Sequence, residues 1–495
     1  MGVIQRQTLK NNVIAFAAVG VGAFSRLFIY PRDPTLNGYS DAIINAALLL
    51  VPFLTLGTTS VMVRFLGYLE GADERANAGQ LLARALVVAT GAIGALGIFN
   101  YAAADWLNVV LPRGALHISR WAIIGVAAAL VYGGIITAHL LSFKRIAVPV
   151  IFNNLTVKIG TALLFYLTVE AYVAPGVYET GLVIVYTLAG LGVLVYALRL
   201  QVVKLSWGRL ALPATHRRQL YGLATFSVFS ALGSRLTMYI DTLSIDAILG
   251  SYDTGIYSLA KFIVGVVAIP YIAINGITSP IVAEAWRTRD MGQLDFLYKE
   301  SSIVLFAFGG LIVTGAVVCL PPLYSIVPNL EQYRAGYIAV LFLGGGQLVD
   351  LATSINGNLI GMTDYYRWNV VFILALGLFN AVLNYIFIAL LGYGITGAAI
   401  STAISLVIYN LVKVAFIYWK MGLQPFTGQH LRLLIVLVAL GGGALAMPAQ
   451  LVAPLPLFVL RGSFVTLAFL ALLYFTPTVP ALRRVLRQGV GAAFK

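Results

Sequence analysis

The chain has 495 residues, of which 60% are hydrophobic and only 10% charged, with a formal net charge of +14. Soluble proteins carry charge on roughly a quarter of their residues, so this composition excludes an ordinary soluble domain. Apolar runs of about 20 residues, each long enough to cross a bilayer, recur from end to end; the pattern is that of a polytopic helical membrane protein and not of a barrel built from short alternating strands.

Taken in order, hydropathy and the breaks at proline, glycine and charge clusters predict fourteen spans: 11–30, 41–66, 81–104, 119–142, 147–169, 178–200, 220–249, 254–280, 301–320, 336–360, 368–391, 394–419, 431–449 and 456–476. The first apolar segment is long and its outer end is marked by Arg26 and Pro31 instead of a small-residue cleavage site. It therefore reads as a span, with no cleavable signal apparent. The single cysteine, Cys319, excludes an intramolecular disulfide and reads as a small core residue.

One stretch occurs twice. The first span ends in S-R-L-F-I-Y (Ser25 to Tyr30), followed by G-Y-S (Gly38 to Ser40) and an apolar run closing on L-G-T-T-S (Leu56 to Ser60). The seventh span contains S-R-L-T-M-Y (Ser234 to Tyr239), followed by G-I-Y-S (Gly255 to Ser258) and a run closing on N-G-I-T-S (Asn275 to Ser279). Ser40 to Ser60 is 20 positions and Ser258 to Ser279 is 21, so three echoes keep one order at nearly one spacing. The only long polar connector, 201–219, lies between the copies. We expect an N-lobe at 1–200, a C-lobe at 220–420, a helix pair at 431–476 and a basic tail at 477–495. Six spans per half bring both halves in from the same side, which makes the repeats parallel.

Placing the N-terminus in the cytoplasm puts 23 of the 32 basic residues on the inner side, among them Lys413. Five go outside: Arg32, Arg113, Arg120, Arg334 and Arg461. That split is the positive-inside bias, and it accounts for the charge without nucleic acid.

Four bases remain inside spans: Arg26, Lys158, Arg235 and Lys261. An ionisable group at membrane depth usually faces protein or water and often has a function. Arg26 and Arg235 are the repeat-related pair, and converging on a central cavity they would suit a diphosphate, since a guanidinium grips phosphate oxygens through paired hydrogen bonds. The alternative is a helix-end arginine reaching the headgroups. Lys158 and Lys261 read equally as substrate contacts and as structural or interfacial bases. Asp41, Asp241 and Asp350 are candidates for ion coupling, or plain partners of buried bases. Asn380 and Asn384, four apart on one helix face, read as helix glue or as cavity amides. The histidines are scattered without metal-ligand spacing and the outer loops are short, so no cofactor and no enzyme constellation is expected.

At this point the sequence resembles the polysaccharide-transporter family, the oligosaccharide-lipid flippases of the multidrug/oligosaccharidyl-lipid/polysaccharide exporter superfamily. The resemblance is carried by the basic lead-in from Gly2, the first span ending at a proline, G-Y-S, and L-G-T-T-S-V-M-V-R-F (Leu56 to Phe65). It is carried again by N-A-V-L-N-Y-I-F-I-A-L-L-G-Y-G-I-T-G-A-A-I-S-T (Asn380 to Thr402). It implies an all-α membrane protein of about fourteen helices, with two parallel six-helix lobes around a central cavity and two C-terminal helices shaping a groove for a lipid tail. It also implies a monomeric flippase in the bacterial inner membrane, with both termini cytoplasmic, moving an undecaprenyl-diphosphate-linked oligosaccharide outward by alternating access. O-antigen or capsule assembly would be served, alongside glycan-assembly proteins. Arg26 matches the position of essential first-helix arginines in relatives that flip cell-wall precursors. The coupling ion, sodium or proton, stays open. The alternatives are a small-molecule antiporter of the same superfamily and a membrane glycosyltransferase, polymerase or ligase.

Overall fold

The computed structural model describes residues 14, 16–65, 74–110, 119–143, 145, 147–203, 205–207, 214–327, 329–448, 452–476, 479 and 482–483. These residues are helical with no strand. The first helix, α1 (16–32), runs as α-helix to Phe24, widens to a π-turn over Ser25–Ile29 and tightens over Tyr30–Arg32. There follow α2 (Pro34–Thr55), α3 (Thr58–Phe65), α4 (Glu74–Ala102), α5 (Arg120–Ser142), α6 (Ala147–Val169), α7 (Tyr178–Arg199) and α8 (Ala214–Ile248). Beyond them lie α9 (Ser251–Arg287), α10 (Met291–Ile326), α11 (Tyr337–Thr353), α12 (Asn356–Gly361), α13 (Tyr366–Leu390), α14 (Gly394–Met421), α15 (Gly428–Leu445) and α16 (Pro454–Phe475).

Among the described residues, 12 helices are long and apolar enough to span a bilayer. The two predicted spans outside that set have separate reasons. Span 1 falls partly on residues that are not described. Span 7 exists as α8, 35 residues long, but its serines, threonines and Arg235 dilute its hydropathy. The polar connector lies partly outside the described residues.

Local chemistry explains the boundaries that matter. Asp33 caps α2, its carboxylate accepting from the Leu36 amide at 3.0 Å, with Pro34 in the first turn. The helix stops where Leu56 and Gly57 both take positive φ, 45° and 74°. A methyl group on Gly57 would stand 2.4 Å from the Ala224 carbonyl oxygen, so only glycine lets α2 and α8 touch here. Gly422, at φ 70°, closes α14 in the usual left-handed way.

By contacts the chain divides into Met1–Gly255 and Ile256–Lys495. The grouping follows close packing and leaves the repeat boundary an expectation. The first unit is cored by small and branched residues: Ala42, Ile43 and Ala46 of α2 against Val126, Ala127 and Val131 of α5. Small side chains let membrane helices approach closely, where lipid supplies no hydrophobic drive. In the second unit Ile303, Phe306 and Ala307 of α10 pack with Leu433 and Leu437 of α15 and with Phe469 and Leu473 of α16. The last two helices are thereby bound into that unit.

Candidate functional site

Both copies of the repeated stretch build the same local device. Ser25 donates to the Val21 carbonyl at 2.8 Å and Ser234 to the Ser230 carbonyl at 3.0 Å, each four residues back. Arg26 lies over the Tyr30 ring, 5.1 Å from its centroid, and Arg235 over the Tyr239 ring at 5.8 Å, each four residues on.

The two arginines then diverge. Arg26 donates to both Asp41 oxygens, at 2.7 and 2.8 Å, and to the Asn37 amide oxygen at 3.0 Å. Arg235 donates to the Tyr239 hydroxyl at 3.0 Å and, among the described residues, has no carboxylate partner. The sequence holds the reason: aligned on the echoed serines, Asp41 follows Ser40, whereas Leu259 follows Ser258. One guanidinium is neutralised by a carboxylate and the other, among the described residues, is not.

Arg235 lies at a cavity of about 790 Å³ formed by α2, α3, α5 and α8 within the first unit. Thr55, Thr59, Ser60, Thr137, Ser227 and Ser230 supply hydroxyls to its wall. A cavity of this size is in the range of small-molecule sites, and hydroxyls around a guanidinium with no carboxylate partner among the described residues suit an anionic, polyol-bearing head. A neighbouring cavity of about 920 Å³ carries Arg84, but its wall is mainly apolar. We therefore take the Arg235 cavity as the candidate site.

Lys158 of α6 donates to the Ala18 carbonyl of α1 at 3.0 Å and lies within electrostatic range of Arg26. Tyr30 meets Thr161, one turn beyond Lys158, at 3.4 Å. Buried Tyr186 lies within electrostatic range of Tyr30, Asp41, Tyr178 and Tyr239. Asp41 is thus the partner of a buried base. Asp241 is 1% exposed, two residues past Tyr239 on α8.

The other predicted residues lie in the second unit. Lys261 is half-buried on α9. Asn380 and Asn384 are buried on α13, and Asn380 bonds across to α14, donating to Thr402 at 3.4 Å and accepting from Ser405 at 3.5 Å. Asp350 of α11 accepts from the Asn410 amide at 2.9 Å and from Gln347 at 3.1 Å.

Two bases counted above by side of the membrane are buried within helices. Lys413, counted with the inner side, is 5% exposed inside α14. Arg461, assigned outside, is 4% exposed in α16. It donates to the carbonyls of Val318, Leu445 and Met447, each at 3.3 Å, and so caps the end of α15. Both sit close to span ends in sequence, where a long side chain turned toward solvent and one turned inward look alike.

No family profile and no curated protein matches the sequence. Solved structures do match in fold. A lipid II flippase, MurJ, in an inward closed conformation superposes with a TM-score of 0.68 at 14% identity, covering 94% of this chain and 98% of its own. A multidrug resistance MATE transporter of the MOP superfamily, inward-facing, gives 0.64 at 13% identity over 85% of this chain and 95% of its own. A MOP superfamily transporter from Pyrococcus furiosus, described by the reverse polarity of its binding pocket, gives 0.56 at 12%, over 85% of this chain and 96% of its own. The chain thus has the fold shared by these transporters. The part of the chain outside the MurJ superposition is 6%, about 30 residues, which is fewer than α15 and α16 hold between them, so that superposition reaches into the C-terminal pair.

Proposed function

We propose that this protein is a flippase for a polyprenyl-diphosphate-linked oligosaccharide, carrying it from the inner to the outer leaflet by alternating access for O-antigen or other surface-glycan assembly. The observation that carries this is Arg235: a guanidinium within a predicted span, beside a hydroxyl-lined cavity, with no carboxylate partner among the described residues. A cavity holding uncompensated positive charge attracts anions and repels organic cations. Arg235 takes the diphosphate, and Arg26 and Lys158 supply further positive charge on the same unit, Arg26 by exchanging Asp41 for phosphate. Lys261, Asn380 and Asn384 remain candidates for cargo contacts, and Asp241 for ion coupling.

A second reading, a multidrug antiporter, is favoured by the superposition on the MATE transporter at a TM-score of 0.64. Export of glycan in cells deleted for their own flippase separates the two. Wild type should restore surface glycan. Arg235→Ala at matched membrane levels should leave lipid-linked oligosaccharide accumulating inside, and Arg26→Ala should act in the same direction. Normal export by Arg235→Ala overturns the site. Cation efflux that survives Arg235→Ala and is lost on Asp241→Asn favours the antiporter.

A further inference from the structure

Pro321 and Pro322 stand together inside α10, near its C-terminal end. A proline has no N–H, so each leaves the carbonyl four residues earlier without its helical donor. Those carbonyls belong to Val317 and Val318. Both are met from other helices. The hydroxyl of Tyr337, the first residue of α11, donates to the Val317 carbonyl at 3.0 Å. Arg461 of α16 donates through Nη1 to the Val318 carbonyl at 3.3 Å. Its Nη2 holds the Leu445 and Met447 carbonyls at the end of α15, at 3.3 Å each. One side chain thus joins the proline turn of α10 to both helices of the C-terminal pair.

The packing at this level is close. Val318 of α10 is buried with Ala444 of α15 and Val465 of α16. A Cβ on Gly462, next to Arg461, would stand 3.4 Å from the Cys319 sulfur, and that thiol donates to the Phe458 carbonyl of α16 at 3.8 Å. Arg461 is 4% exposed, and among the described residues no carboxylate reaches ion-pair distance of it. Carbonyls that no helical N–H can reach are costly where water is absent, and a buried guanidinium, rich in N–H groups, offsets that cost.

We propose that Tyr337 and Arg461 are the replacement donors for the proline-broken turn of α10, and that through Arg461 the C-terminal pair clamps this turn. The turn keeps its helical form while α16 is seated and loses it when α16 withdraws, whatever cargo the protein carries.

The single cysteine lies in that turn, between Val318 and the prolines, so maleimide labelling of Cys319 in the purified full chain in detergent reads its opening. Tyr337→Phe removes one donor and should speed labelling by roughly three- to tenfold, the worth of one hydrogen bond. Pro321→Ala returns a backbone N–H to Val317, so adding Tyr337→Phe to it should give no further increase. Pro322→Ala serves the other carbonyl and should leave the Tyr337→Phe effect intact. In the matching pair, Pro322→Ala should shrink the acceleration caused by Arg461→Met, leaving the part due to Leu445 and Met447, and Pro321→Ala should not. If Arg461→Met does not fold, Arg461→Lys, which cannot bridge α10 and α15 at once, takes its place. A Tyr337→Phe effect of equal size with and without Pro321 overturns the replacement, as does labelling that Tyr337→Phe leaves unchanged. Wild-type labelling in the Arg461 variant overturns the clamp. A Pro321→Ala variant that fails to fold also overturns the proposal, because alanine returns the donor said to be missing.

Discussion

A guanidinium at membrane depth is defined by what neutralises it. Arg26 has Asp41 in a two-pronged ion pair, with side chains 22% and 14% exposed, so each charge depends on the other for most of its solvation. Removing one member of a buried pair leaves an uncompensated charge. Asp41→Asn should therefore destabilise the protein by about 1–3 kcal/mol, less than for a fully buried pair. Combining it with Arg26→Met should restore part of the loss, and a double-mutant cycle on thermal unfolding reads the coupling directly. Additive effects would mean that the pair is held by its surroundings and not by its charges. Arg461 has no acid partner among the described residues, only three carbonyls. Arg461→Met should cost about 1–3 kcal/mol by leaving those acceptors unpaired. The single cysteine reports it, because the Cys319 thiol lies 3.8 Å from the Phe458 carbonyl of α16. Maleimide labelling of Cys319 should begin at a lower temperature in the variant.

At the scale of elements, the echoed glycines matter more than the echoed arginines. A Cβ on Gly38 of α2 would stand 1.8 Å from the Ser251 carbonyl oxygen, and one on Gly255 of α9 would stand 2.0 Å from the Pro34 carbonyl oxygen. The backbones of α2 and the first turn of α9 are thus in reciprocal contact, and no side chain fits between them. Gly38→Ala should separate the two helices and cost about 1–3 kcal/mol, the range for forced overpacking. Gly94→Ala, which meets nothing within 4 Å, is the control and should stabilise α4 by up to about 1 kcal/mol through helix propensity. Equal melting temperatures for the two variants would remove the crossing from the account. A different break separates α11 from α12, where Ser354 sits at φ 52°, a costly place for a non-glycine residue, and donates to the Ser301 hydroxyl at 2.7 Å. That break places Asn356 and Asn358 within reach of Tyr298 and Thr278. It lies in the middle of what hydropathy alone joins into one span, 336–360.

For the whole molecule, orientation is the testable quantity. The concentration of basic residues on one set of loops predicts cytoplasmic termini. A fluorescent protein fused after Lys495 should fluoresce, and alkaline phosphatase fused at Ala171, in the turn between α6 and α7, should be active. The opposite pair of results reverses the membrane topology and with it the direction of transport. The C-terminal pair belongs to the second unit through Leu433, Leu437, Phe469 and Leu473, so truncation before α15 should expose apolar surface on α10 and lower folded yield.

Composition and periodicity were enough to specify a helical membrane protein, the positions of twelve of its fourteen predicted spans and a twofold echo. Those properties follow from partitioning into lipid and from backbone hydrogen bonding, which act on every residue according to its type. The echo also located both arginines, and the serine and tyrosine flanking each recur in space as they do in sequence. Which arginine keeps its charge could have been read from Asp41 against Leu259, but only once the ion pair was known to span 15 positions. Lys413 offered no such signal, because its surroundings come from Asp350, Tyr271 and Gly357 on other helices, and hydropathy says nothing about which way a long side chain turns. The sequence alone thus determined the solvent of each segment. Only the tertiary structure decided the partner of each buried charge, since a charge in low dielectric is governed by groups a few ångströms away in space, wherever they stand in the chain.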